Sequence, residues 1–345
     1  MATYLSLPAD LPPGGTWVAG DFHRLRDGAL VTAALAADGD RCRLLVCRWS
    51  DAEPPEPGEV QTVEPAGVYG VSLGSPGGEV LDLFYTLHGT RIYRRVSRDG
   101  GRTWGEPAEV PWTPFPFVPT YGPPQPGYPA VGTGTTVSFA HGYTAEGRIV
   151  LLFPQEYFYL VQYVALCLVV GEADEEGAWS WSETWFPNAS DGTTLARCAK
   201  LQRSRWGGMH ALGSNFRLDD LRLDAPPTVV REVDRASDSP SAREWIDERL
   251  GLRVALSSFT VSSTDRRLTW RCYSLEPGDP PMWRASGATG GSTAPLALDP
   301  RGFPMKVTQR VDGVWEGLVV GPGQRLRFVR SRRVSRTGEA AWSME

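Results

Sequence analysis

Ser97-Arg98-Asp99-Gly100-Gly101-Arg102-Thr103-Trp104 is the stretch whose reading decides the fold. A short acidic side chain at Asp99 can accept hydrogen bonds from the backbone N–H groups of its own turn. Gly101 permits a positive φ there, and Trp104 offers a large ring to pack against whatever lies beside the turn. The pattern Ser97-x-Asp99-x-Gly101-x-Thr103-Trp104 is echoed by Ser263-x-Asp265-x-Arg267-x-Thr269-Trp270, which replaces only the glycine. Two weaker echoes keep the register. Asp174-x-Glu176-x-Ala178-x-Ser180-Trp181 retains the tryptophan, and its Glu183 matches Glu106. Ser335-x-Thr337-x-Glu339-x-Ala341-Trp342 retains the serine and the tryptophan. The flanks repeat as well, Arg94-Arg95-Val96-Ser97-Arg98 against Arg332-Arg333-Val334-Ser335-Arg336. Recurrence of one turn along a chain is the signature of a repeat architecture.

Between these turns lie apolar or alternating runs, among them 29–35, 43–47, 80–85, 149–153, 165–170, 254–261, 315–320 and 326–329. Gly-, Pro- and Asp-containing turns separate them, as expected for many antiparallel strands. The 38 glycines and 29 prolines among 345 residues fit that reading. With 41% apolar and 22% charged residues, the chain can bury a sizeable core. A net charge of −5 argues against a nucleic-acid surface. Only Lys200 and Lys306 are lysines, so arginines are too plentiful for any three to stand out as a clamp. The most apolar stretch, 149–170, is interrupted by Pro154, Gln155, Glu156 and Gln162 and reads as two buried strands rather than a membrane span. The start MATYLSLPADLPPGG lacks a basic region followed by an apolar run. A chain without a secretory signal, cytoplasmic as synthesised, is therefore expected.

Ser-x-Asp-x-Gly-x-Thr-Trp resembles the Asp-box, the turn motif (BNR repeat) of sialidases and related β-propellers. The resemblance implies an all-β, sialidase-like propeller of six four-stranded antiparallel blades over residues 15–345, after an N-terminal extension at 1–14. Six blades share the chain at about 57 residues each, and seven would leave about 49. The blades are placed at roughly 17–65, 66–115, 130–190, 191–235, 250–290 and 295–345. Ser237-Asp238-Ser239-Pro240 before Ala242–Leu250 predicts an N-capped helical insertion within 234–250. The turn residues Ser97, Asp99, Gly101, Thr103, Trp104, Ser263, Asp265, Thr269 and Trp270 are expected to be structural, at blade edges and away from any central site.

A sialidase-like site implies three arginines on a carboxylate, a tyrosine nucleophile paired with a glutamate, and an acid/base residue. The family's first arginine follows phenylalanine before an Asp-Gly turn. Here Asp21-Phe22-His23-Arg24-Leu25-Arg26-Asp27-Gly28 carries the turn, with Arg24 as the catalytic candidate in a shifted register. An exposed strand arginine is the competing reading of Arg24. Tyr273 is the last tyrosine, early for the family's nucleophile, and Asp299, Asp312 and Glu316 read as solvated turn residues. Cys42, Cys47, Cys167, Cys198 and Cys272 lack metal-ligand spacing, as do the four histidines, and read as buried free thiols. Neither a metal nor a cofactor is expected.

The segment 111–129, PWTPFPFVPTYGPPQPGYP, displays Trp112, Phe115, Phe117, Tyr121 and Tyr128 among eight prolines. Prolines lower the ordering cost of a loop, and aromatic faces suit sugar rings and protein partners alike. These five residues are the ligand-binding candidates; packing of the loop onto the propeller is the alternative. Trp179, Trp181, Trp185 and Phe186 read as core packing around their turn. The function expected is a non-catalytic recognition or assembly module for glycan or protein, in context a phage virion or tail component, with homo-oligomer or particle assembly and no membrane insertion. The alternative is an exo-acting glycoside hydrolase using a central channel.

Overall fold

The computed structural model describes residues 15–38, 41–51, 56–87, 91–113, 140–144, 146–159 and 161–187, and beyond these the strands between 198 and 342. Every described regular element is a β-strand. The first sheet is an antiparallel meander of β1 (Thr16–Arg24), β2 (Leu30–Asp38), β3 (Arg41–Trp49) and β4 (Pro57–Glu64). The second repeats it with β5 (Val68–Gly77), β6 (Val80–Leu87), β7 (Arg91–Ser97) and β8 (Ala108–Val110). The third holds β9 (Ala140–Tyr143), β10 (Ile149–Tyr159), β11 (Val161–Ala173) and β12 (Trp179–Pro187). The fourth holds β13 (Cys198–Arg203), β14 (Met209–Gly213), β15 (Arg217–Asp219) and β16 (Thr228–Val230). In the fifth are β17 (Arg243–Ile246), β18 (Ala255–Val261), β19 (Leu268–Glu276) and β20 (Met282–Ser292), and in the last β21 (Pro304–Gln309), β22 (Trp315–Gly321) and β23 (Arg325–Arg330).

Strand β2 forms because its apolar residues are buried on both faces. In β2, Leu30, Ala34 and Ala36 join Trp17, Phe22, Leu45, Cys47 and Trp49 in one cluster, which also takes Leu318 of β22 and Leu326 of β23. Val31, Ala33 and Leu35 point the other way, into a cluster with Leu44, Val46, Leu73, Leu81, Leu83 and Tyr85. Period-two alternation thus sends the odd residues of β2 to the second sheet and its even ones to the last. Each fully buried Leu or Val contributes about 1.5–3 kcal/mol of transfer free energy. A third cluster, with Phe84, Ile92, Val110, Ile149, Leu151, Phe153, Cys167 and Val169, joins the second sheet to the third. The first strands of successive sheets touch in the order β1, β5, β9, β13, β17, β21, and β21 touches β1.

Three expectations are corrected. Within 234–250, where a helical insertion is predicted, the described residues Arg243–Ile246 are a strand paired antiparallel with β18. Ladder pairing overrides the local helical pattern there, and the fifth sheet begins before residue 250; the rest of that segment lies outside the described residues. Ser263–Trp270 falls between the second and third strands of its sheet, with Trp270 inside β19 opposite Phe259 and Gly290. Ser97–Trp104 instead falls between the third and fourth strands, so the two are not equivalent in position. Finally β24 (Ala341–Trp342), expected in the last blade, pairs parallel with β20 of the fifth sheet.

Candidate functional site at the blade interfaces

The Ser97–Trp104 turn is a closed hydrogen-bonded unit. Asp99 Oδ1 accepts from the Ser97 hydroxyl (2.8 Å) and from the N–H groups of Arg102 (3.0 Å) and Thr103 (2.9 Å). Its Oδ2 accepts from the Thr103 hydroxyl at 2.7 Å. Desolvation pushes the carboxyl upward, but the bonds from Thr103, Ser97 and Arg102 prevail and hold it down at about 2. Ser97 Oγ in turn accepts from Gly101 N at 2.7 Å, and Trp104 packs on the cluster between the first two sheets. The turn is docked onto the first sheet. Arg48 donates to Gly100 O at 3.1 Å and pairs with Asp27 at 2.8 Å, while Gln61 donates to Arg102 O at 2.8 Å. Gly101 has φ +85°, and an added Cβ would lie 3.1 Å from Val31.

The weak echo at Asp174 occupies the equivalent place between β11 and β12. Asp174 Oδ1 accepts from Glu176 N at 3.0 Å and Ala178 N at 2.8 Å. Those are the same two offsets at which Ser97 Oγ accepts from Asp99 N and Gly101 N. Aspartate here does the work of the serine.

Between the second and third sheets runs a polar chain the sequence reading missed. Arg94 Nε and Nη2 both donate to Asp82 Oδ1 at 2.8 Å, and Tyr143 Oη donates to Asp82 Oδ2 at 2.7 Å. His141 Nε2 lies 3.3 Å from Tyr143 Oη, and His141 Nδ1 lies 2.7 Å from Ser72 Oγ. The guanidinium of Arg94 stands 4.1 Å above the Trp179 ring, which stacks on Trp181. Asp82, Ser72 and His141 are all buried. One residue on, Asp21 accepts from the N–H groups of Phe22 and Leu73, the latter at 2.8 Å, tying β1 to β5. A looser counterpart joins the first two sheets. Tyr85 donates to Glu64 at 3.2 Å, and Arg95 reaches Tyr85 at 3.4 Å and Glu64 at 3.9 Å.

These contacts tie β5, β6, β7 and β9 together. Burial, and then the neighbouring Asp82 carboxylate, hold the Tyr143 phenol well above its ordinary value, so it donates rather than attacks. Ser72 and His141 form a pair of the type that activates a nucleophile. The next amide, Leu73 N–H, is however taken by Asp21, a negative charge where an oxyanion would need a donor. An added Cβ at Gly74 would stand 2.5 Å from His141 Nε2, so the ring is boxed in. The thiols of Cys42 and Cys47 are pushed by burial up to about 11, and that of Cys167 further, in keeping with inert core cysteines.

Of the residues singled out from sequence, Arg24 donates from Nη1 to Gly28 O at 2.6 Å, bracing the Asp27-Gly28 turn. Trp112 packs edge-on against Phe153 with ring centres 5.0 Å apart, and Thr113 N donates to Glu183 Oε2 at 2.6 Å. Phe115, Phe117, Tyr121 and Tyr128 lie outside the described residues, as do Ser263 and Asp265.

No family model and no curated protein sequence matches the chain. Solved structures do. A protein of unknown function from Dyadobacter fermentans is 14% identical, with TM-score 0.53 over 91% of this chain and 93% of that one. The SapL1 lectin in complex with alpha methyl fucoside is 11% identical, with TM-score 0.52 over 93% and 92%. Trypanosoma rangeli sialidase is 12% identical, with TM-score 0.51 over 93% of this chain and 55% of that one. The chain thus spans about half the length of the sialidase. At such identities the likeness is one of architecture: the fold is an all-β, sialidase-like propeller.

Proposed function

We propose that residues 15–345 form one six-bladed propeller that recognises a glycan without hydrolysing it. The cyclic order of first-strand contacts and the packing of Leu318 and Leu326 on the first sheet support a ring of six. The observation that carries the functional reading is the pinned root of the proline-rich segment. Trp112 is wedged on Phe153 and Thr113 is held by Glu183, so the aromatic residues beyond leave from a fixed point on the third blade. A fixed root reduces the ordering cost of ligand binding. Trp112 is then an anchor, and Phe115, Phe117, Tyr121 and Tyr128 are the residues that would stack on sugar rings. Recognition is favoured over hydrolysis because the buried tyrosine–carboxylate pair, Tyr143 and Asp82, is spent on joining two blades, and the Tyr85–Glu64 pair on joining two others. A lectin of matching extent shares the architecture, in keeping with glycan binding by the propeller alone.

The test pairs a glycan array with a panel of fluorogenic glycosides, fucosides and sialosides included. Binding to a glycan class without turnover is expected. Alanine at Phe115, Phe117, Tyr121 or Tyr128 should each weaken it about 5- to 10-fold, the loss of one stacked ring. Turnover of any glycoside would overturn the non-catalytic reading in favour of a glycosidase, and binding indifferent to all four variants would remove the segment from the site.

A further inference from the structure

We propose that residues 3–7 form the fourth strand of the last sheet, pairing antiparallel with the outer edge of β23 and so fastening the segment before β1 to the final blade. The inference rests on the six-bladed ring proposed above and adds one strand to it. Among the described residues the last sheet holds β21, β22 and β23, where each of the first four sheets holds four strands. β22 takes one edge of β23, and the other edge has no ladder partner among the described residues. The next described strand, β24, does not supply one, because it crosses to β20. A bare strand edge is a row of unmet N–H and C=O groups that draws in another strand.

The sequence before β1 fits that edge. Thr3-Tyr4-Leu5-Ser6-Leu7 has no charged side chain and carries the strand-favouring Thr3 and Tyr4, and Pro8 follows it. The outermost strands of the first three sheets end in the same way: Pro65 follows β4, Pro111 follows β8, and Pro187 is the last residue of β12. Proline suits that place because it brings no N–H and stops the ladder there. Fourth strands of three residues each, β8 and β16, show that a short one suffices. Direction and reach agree as well. In the first sheet the fourth strand runs antiparallel to the first, and residues 65–67 then carry the chain to β5 of the next sheet. Residues 8–15 would make the equivalent crossing to β1, which touches β21 and β22, with a longer linker than 65–67. A second copy is the poorer occupant. Antiparallel pairing of β23 with its twin would set Arg325, Arg327 and Arg330 against the same three arginines.

The test is hydrogen–deuterium exchange, read by mass spectrometry, on the full chain and on Leu5→Pro, which disrupts strand pairing without shortening the segment. In the full chain residues 3–7 should exchange at least about 100-fold more slowly than a free peptide of the same sequence. Leu5→Pro should abolish that protection and speed exchange across 325–330 by about 10-fold or more, with β6 unchanged. Should Leu5→Pro fail to fold, Leu5→Gly replaces it, and its weaker strand preference should move 325–330 in the same direction. Free exchange at 3–7 while β1 and β22 stay protected would overturn the inference and leave the ring standing. Free exchange at β1 and β22 as well would overturn the ring, and the inference with it. Exchange at 325–330 that ignores the variant would also overturn the inference, and if it quickens on dilution a second copy holds the edge.

Discussion

Asp99 gathers four hydrogen bonds on two carboxylate oxygens while its side chain stays near solvent. Replacing it with alanine strands two backbone N–H groups and two hydroxyls that water can partly serve, so the cost should be about 1–2 kcal/mol. Chemical denaturation of Asp99→Ala measures it directly, and glycan binding should be unchanged. The lowered carboxyl carries a pH signature of its own. Held at about 2 against the ordinary carboxylate value, it contributes stability above pH ~4 that is lost as the pH falls toward 2. Asp99→Asn should flatten that part of the acid-unfolding curve; an unaltered curve would mean the carboxylate does not hold the turn. This residue was legible because its partners lie within four positions of it. The Asp174 turn was less so, although the register was right, because its oxygen comes from a different residue type doing the serine's work.

Strand β7 shows what alternation does to two adjacent charges. Arg94 and Arg95 point to opposite faces, one into the second–third interface and one into the first–second. The two settings differ in burial. The side chains of Arg94 and Asp82 are 10% and 0% exposed, those of Arg95 and Glu64 16% and 21%, with the second pair longer at 3.9 Å. Removing one member of a buried pair leaves an uncompensated charge, so Asp82→Ala should cost about 3–5 kcal/mol. Glu64→Ala, at a partly solvated pair, should cost about 1 kcal/mol or less. Urea midpoints of the two variants decide the matter, and equal losses would show that the Asp82 cluster adds nothing beyond a surface ion pair. An aspartate inside the apolar run 80–85 was the available signal for this cluster, since a charge in a doubly buried strand must find a partner. Which partner was not readable: Tyr143 is 61 positions away and Ser72–His141 span 69.

Across the molecule, the first sheet is held between its successor in sequence and the last sheet, through Leu318 and Leu326. Leu318 is 1% exposed in that seam, so Leu318→Ala should cost about 2–5 kcal/mol, as much as a leucine inside any one blade. A smaller loss, with the remainder melting as before, would mean that the seam does not help hold the ring. The amino-acid sequence by itself determined the class of fold, the turn that punctuates it and the strands between, because turn hydrogen bonds and period-two burial act over a few neighbouring residues. It also marked Cys42, Cys47 and Cys167 as buried free thiols by residue type and spacing alone. The tertiary structure decided what depends on meetings between distant strands: Arg243–Ile246 as strand rather than helix, the non-equivalence of Ser263–Trp270, and the crossing of β24 to the fifth sheet. It likewise decided that Arg24 braces its own hairpin and that Ser72, His141, Tyr143, Asp82 and Arg94 form one chain. Hydrogen bonds and ion pairs between blades depend on spatial adjacency, and spacing along the chain carries no record of it.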